Sequence, residues 1–179
     1  YAEFLNADMR KYSIPNYPFG RNSVFKETNI GKTLVSIDLT KANFSAMRYF
    51  NQALIDGKGT YEDFIAQFTE MEHLIKSKYV RQVIFGNLNP KRQTTIEHYM
   101  MNLLVEELLK HVDSSKIESF MCDEIVFKYD KNFDEILESL YNIAKQNDFD
   151  IHHEIYELRK IPNSDIYVKY LSNGKIDFK

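Results

Sequence analysis

Cysteine is nearly missing from this chain of 179 residues; only Cys122 is present. One thiol excludes an internal disulfide framework and a zinc site built on several cysteines, and it suits a reducing compartment. The expected location is therefore intracellular, in the cytoplasm, or in the host-cell cytoplasm for a viral chain. Long apolar runs are missing too. No stretch approaches membrane-spanning length, so no membrane partner is expected. The charged and aromatic N-terminus does not follow the signal-peptide pattern. A first residue Tyr1 in place of Met is what a processed product, or a domain cut from a longer protein, would give. Net charge is small, −3 at pH 7. The overall balance does not announce a nucleic-acid binder, and local charge matters more than the sum. There is no internal repeat and no low-complexity tract, which argues against a repeat array.

What is present fits one globular domain with a real core, since apolar content is ordinary and aromatics are plentiful. Residues 1–21, interrupted by Pro15, Pro18 and Gly20, read as a short helix and then an extended arm. Phe25 is expected to begin a strand, and 29–32 to turn. The β-branched run 33–38 reads as a strand ending in Asp38. Phe44, Met47, Asn51 and Leu54 then share one helical face. Thr60 with Asp63 resembles a capping box for a helix over 61–68. A helical pattern follows from Met71 to about Phe85, 86–90 interrupts it, and Ile96, Met100, Leu103, Leu104 and Leu108 then give a long amphipathic helix to about His111. Two β-favouring runs flank Asp123-Glu124, which predicts a hairpin. Asn132 with Glu135 is expected to cap the next helix, and 151–161 reads as a strand. The last hairpin turns at Ser172-Asn173-Gly174. These elements predict an α+β domain, an antiparallel sheet with helices packed on one face.

Two features point to chemistry. Asp38 and Asp123 are carboxylates from separate strands, with Glu124 as a nearby third. Such a set could share a divalent metal, because Mg²⁺ prefers a few hard oxygen ligands and keeps waters for substrate phosphates. The plainer readings are a solvated hairpin tip for Asp123-Glu124 and a helix N-cap for Asp38. The second feature is 76–93, with Lys76, Lys78, Arg81, Lys91 and Arg92 and no Asp or Glu. Interleaved with Tyr79 and Phe85, it suits phosphates and stacked bases, or else forms a solvated helix face. His98 reads as a surface or packing histidine. His152-His153 lacks the helical spacing of a zinc site. Cys122 reads as a small buried residue.

Leu34-Val35-Ser36-Ile37-Asp38-Leu39-Thr40-Lys41-Ala42-Asn43-Phe44-Ser45 resembles motif A of family A DNA polymerases, the bacterial DNA polymerase I type. Asp38 matches its metal-binding Asp, and Thr40 stands where that family has Ser. Met121-Cys122-Asp123-Glu124-Ile125-Val126-Phe127 is similar to motif C, with Cys122 in place of His. Between them, Asn89-Pro90-Lys91-Arg92-Gln93 resembles the start of a palm helix. A competing alignment places Arg81, Phe85 and Gly86 on the fingers helix. The motif A Glu is Asn43 here, and the interval between the motifs is short, which implies reduced fingers.

The resemblance implies a palm-like sheet and divides the chain into an N-terminal arm and lead-in (1–32), a palm-like core (33–161) and a C-terminal hairpin (162–179). It implies template-directed nucleotidyl transfer on primer-template with nucleoside triphosphates. Two Mg²⁺ ions, or Mn²⁺, would be held by Asp38, Asp123 and the Leu39 carbonyl, with Glu124 tuning the site. Asn43, Lys78, Arg81, Asn89, Lys91, Arg92 and Gln93 would contact nucleotide, template or primer. Missing parts would come from another polymerase subunit or the rest of a longer chain. The alternatives are a non-catalytic palm-like nucleic-acid-binding or assembly subunit, and a nucleotide cyclase-like palm. The cyclase palm is disfavoured because no Gly-Gly precedes Asp123.

Overall fold

A computed structural model describes residues 1–20 and 22–179; Arg21, at the end of the expected arm, lies outside them. The helices are α1 (Ala2–Asn6), α2 (Ala42–Phe50), α3 (Tyr61–Ile65), α4 (Glu72–Ile75), α5 (Lys78–Gly86), α6 (Pro90–Leu108) and α7 (Phe133–Gln146). The strands are β1 (Thr33–Leu39), β2 (Ile117–Phe120), β3 (Glu124–Lys128), β4 (Ile151–Lys160), β5 (Tyr167–Leu171) and β6 (Ile176–Phe178). They form one six-stranded sheet in the order β2-β3-β1-β4-β5-β6, and every neighbouring pair is antiparallel. The fold is therefore α+β, as the pattern of elements predicts.

Alternation along β1 decides which face is covered. Val35, Ile37 and Leu39 join Ile125, Phe127 and Ile151 in a core shared with α2, α6 and α7. The long helix α6 supplies Ile96, Met100, Met101, Leu104, Val105 and Leu108, all completely buried. On the opposite face Leu34 joins Val126, Tyr156 and Leu158 in a smaller cluster that contains no helical residue. Among the described residues no α-helix packs on this face, and Ser36 and Asp38 share it with Leu34.

Several local expectations are corrected. Phe25 begins no strand. Residues 22–32 instead cross the helix-free face with a 3-10 turn at Glu27–Asn29, and Val24 and Phe25 pack on the smaller cluster. The buried Asn29 side chain fixes this crossing by donating to the Val24 carbonyl (3.0 Å). The pattern from Met71 to Phe85 splits into α4 and α5, because the Ser77 hydroxyl accepts from the Val80 N–H (3.1 Å) and starts a new helix. Asn51 ends α2 early, its side chain accepting from Ala53 N–H. Asn132 precedes α7 but makes no side-chain capping bond. Cys122 is half-buried, at the hairpin turn, rather than buried. Among the described residues no helix is long and apolar enough to cross a membrane.

Arg92 anchors the N-terminal segment. Its guanidinium donates to the carbonyls of Phe4 (3.0 Å) and Ala7 (2.8 Å), and the Phe4 ring meets Phe50 edge-on. Arg92→Met should cost about 2 kcal/mol, because two hydrogen bonds from a charged donor are lost. Urea denaturation of the variant against the wild type measures this.

Candidate active site

The site forms where β1 meets β3 and β4. Asp38 lies directly opposite Glu124 on one side and His152 on the other. The Leu39 N–H donates to the Asp123 carbonyl (2.9 Å), so Leu39 and Asp123 are a hydrogen-bonded pair. By alternation Asp38 and Glu124 are the adjoining non-hydrogen-bonded pair, with Cα atoms about 4.5 Å apart and side chains close. Asp123 sits one residue before β3, in the turn, and is exposed. The two carboxylate motifs predicted from separate strands therefore come together, with Asp38 and Glu124 on the face without α-helices and Asp123 at the turn beside them.

Asp38 does not cap α2. The N-cap is Lys41, in the left-handed region at φ 50°. Asp38 stays within β1, where it accepts a long hydrogen bond from Ser36 (3.4 Å). Burial pushes its carboxyl up to about 6. The Lys169 ammonium opposes this, while the charges of Asp123 and Glu154 add to it. Burial likewise raises Glu124, and the charge of Asp38 adds to the effect. His152 Nε2 lies 3.7 Å from Asp38 Oδ2.

Three residues that the sequence reading missed complete the site. Glu97 on α6 is 4% exposed and accepts from Asn43 Nδ2 (3.3 Å). Burial pushes its carboxyl up to about 7, and the charge of Asp123 contributes. Lys169 on β5 is 7% exposed, with Nζ 3.9 Å from Glu124 and 4.0 Å from Glu154. Tyr156 on β4 is 1% exposed, and its hydroxyl has no hydrogen-bond partner among the described residues. The signal for Lys169 was its alternation with Val168 and Tyr170, which faces it away from the buried Val168. Glu97 gave no sequence signal beyond its place next to Ile96.

The remaining predicted residues divide. Asn43 reaches the site through Glu97 and also donates to Gln93 Oε1 (3.1 Å). Gln93 itself is completely buried and donates to the carbonyls of Phe85 and Leu88. Asn89 caps α6 by accepting from Arg92 N–H (3.3 Å). Gln93, Asn89 and Arg92 thus have internal partners where contacts to template or primer were expected. Lys78 and Lys91 are exposed, and the Arg81 guanidinium lies 5.6 Å from the Tyr61 ring centre. None of these three pairs with Asp38, Asp123 or Glu124 among the described residues.

A different cationic cluster shares the helix-free face. The bulge in β2 between Ile117 and Ser119 turns Glu118 toward Lys128 (3.3 Å), and Lys26 (2.8 Å) and Lys32 (3.8 Å) converge on the same carboxylate. Burial works against the charge of Glu118, and hydrogen bonds from Lys26 and Lys128 overcome it, so its carboxyl stays below the usual range. Three ammonium groups around one carboxylate leave a local surplus of positive charge. Lys128 is four residues from Glu124 along β3, or about 13 Å.

The donor set suits a hard divalent cation. Asp38, Glu124 and Glu154 gather around the Lys169 ammonium, so negative charge is in excess. Among the described residues no three His, Cys, Asp or Glu side chains form a ready-made metal cage. Comparison of the chain with protein-family models, with curated proteins and with solved structures returned no significant match.

Proposed function

We propose that this chain is a palm-type nucleotidyltransferase that extends a primer on a template from nucleoside triphosphates. One observation carries the reading: Asp38 stands opposite Glu124 in the sheet, with Asp123 at the turn next to Glu124. The resemblance of both segments to family A polymerase motifs supports it. Asp38, Asp123 and the Leu39 carbonyl would hold the divalent ions, Mg²⁺ or Mn²⁺, which supply activation of the primer 3′-hydroxyl and stabilisation of the leaving pyrophosphate. Glu124, across the strand pair from Asp38, keeps the local field negative. Glu97 adds a carboxyl poised near neutrality behind Asp123, and Asn43 orients it. The test is extension of a labelled primer with Mg²⁺ or Mn²⁺. The wild type should extend it and Asp123→Ala should not; equal extension by both would sink the mechanism.

The Lys26–Lys32–Lys128 cluster suits the phosphodiester backbone beside the reacting end. Lys26→Gln with Lys32→Gln leaves Lys128 to pair with Glu118. The double variant should bind primer-template more weakly, with a log–log salt slope shallower by roughly 1.5. Fluorescence anisotropy across a salt series measures it.

A non-catalytic palm-like nucleic-acid-binding or assembly module is the second reading. It is favoured by Lys169, an ammonium already seated among the acids. Primer-template binding without turnover would select it.

A further inference from the structure

We propose that Lys169 is a built-in counter-cation of the carboxylate cluster, which holds the cluster together when no metal is bound and competes with the divalent ion for it. This rests on reading Asp38, Asp123 and Glu124 as a metal-binding group. Lysine is almost never buried unless it is paired. Lys169 is buried, yet its Nζ lies 3.9 Å from Glu124 and 4.0 Å from Glu154, beyond hydrogen-bonding distance of either. Its closest face-on neighbour is the Tyr156 ring, whose centre is 4.4 Å away. The ammonium is therefore held by the summed field of the acids and by a ring face, not by one tight bond. Such a cation is easily exchanged.

The Tyr156 hydroxyl is an independent sign that something else enters. It is buried and unpartnered among the described residues, and burial together with the charges of Glu124, Asp38 and Glu154 raises its pKa. A buried donor beside carboxylates is costly unless a ligand or ordered water completes it. A hydrated divalent ion held by Asp38 would bring such water. The same ion would repel the ammonium, because like charges a few ångströms apart in a partly buried site interact strongly. Lysine has a flexible four-carbon stem on which to withdraw.

Lys169 is on β5, remote in sequence from both motifs, and it is a positioning residue rather than a catalytic one. Its role is readable without turnover. Mn²⁺ binding to the full chain, followed by electron paramagnetic resonance at pH 8.5, should be at least tenfold tighter for Lys169→Met than for the wild type. The metal-free variant should melt lower than the wild type, and saturating Mn²⁺ should close that gap. Equal or weaker Mn²⁺ binding by the variant overturns the proposal. The wild type offers a second measurement that does not depend on the variant folding. Acylation of Lys169 by an amine-reactive reagent, read by mass spectrometry, should rise several-fold when Mn²⁺ is added, and unchanged labelling overturns the proposal. If the wild type binds Mn²⁺ and releases Lys169 but extends no primer, the transferase reading fails and the lysine assignment stands. Primer extension with unaltered Mn²⁺ affinity in Lys169→Met overturns the lysine assignment and leaves the transferase reading standing.

Discussion

Asp38→Asn should reduce metal-dependent primer extension by a factor on the order of 10³ and at the same time make the metal-free protein more stable. Opposite signs are what a side chain placed for a ligand, and not for the fold, would give. Its carboxyl stands at about 6 in the folded chain against an ordinary 3.8, with burial as the main cause. A carboxyl raised on folding binds its proton more tightly in the folded state. Its contribution is therefore most favourable below about pH 4 and is lost as pH rises through 6. Above that range the charged group costs the fold about 2 kcal/mol, allowing for its partial exposure. Asn keeps the shape and removes the charge. Differential scanning calorimetry at pH 8 should show a higher Tm for the variant. A lower Tm would mark Asp38 as an ordinary structural residue.

Glu97→Gln should give the steepest change in pH dependence. Glu97 is buried on α6, and its carboxyl rises from 4.5 to about 7, chiefly through burial. The folded state holds this proton up to about pH 7 and the unfolded chain loses it near 4.5. Stability from this group is therefore intact below about pH 4.5 and falls as pH climbs through 7. The full loss is about 3 kcal/mol above pH 8. Gln can still accept from Asn43, so the variant should be more stable than the wild type at pH 8.5 by roughly 2–3 kcal/mol and nearly equal at pH 5. Urea melts at pH 5, 7 and 8.5 test this. Parallel curves for the two proteins would show that Glu97 does not titrate in this range.

What the sequence showed and what it hid follow from range. β1 and the Asp123-Glu124 turn were legible because strand propensity and turn placement are local. The antiparallel register that sets Asp38 against Glu124 was not local; the placement of Asp38 and Asp123 at strand ends or turns suggested only that the two motifs could meet. Glu97 stayed hidden because its burial is made by Asn43, 54 residues earlier, laid against α6 by tertiary packing. Lys169 stayed hidden because a lysine on a short strand near the end of the chain ordinarily points to water. The basic stretch at 76–93 shows the opposite limit. Its lack of acids was real, but Arg92 found backbone carbonyls near the N-terminus, and Gln93 was drawn inside by the Phe85 and Leu88 carbonyls. Composition counts charges and cannot say which of them the chain will use on itself.

The central position of β1 has a consequence for synthesis. Both of its neighbours, β3 and β4, come far later in the chain. A ribosome adding about 5–20 residues each second needs roughly 6–24 s to travel from the end of β1 to the end of β4. Both edges of this apolar strand stay unpaired until β3 is made, and the edge facing β4 stays open to the end of the interval, the condition under which nascent chains stick to one another. Early expression of this protein should therefore depend on holdase capacity, and slowing initiation should yield more native product than slowing elongation.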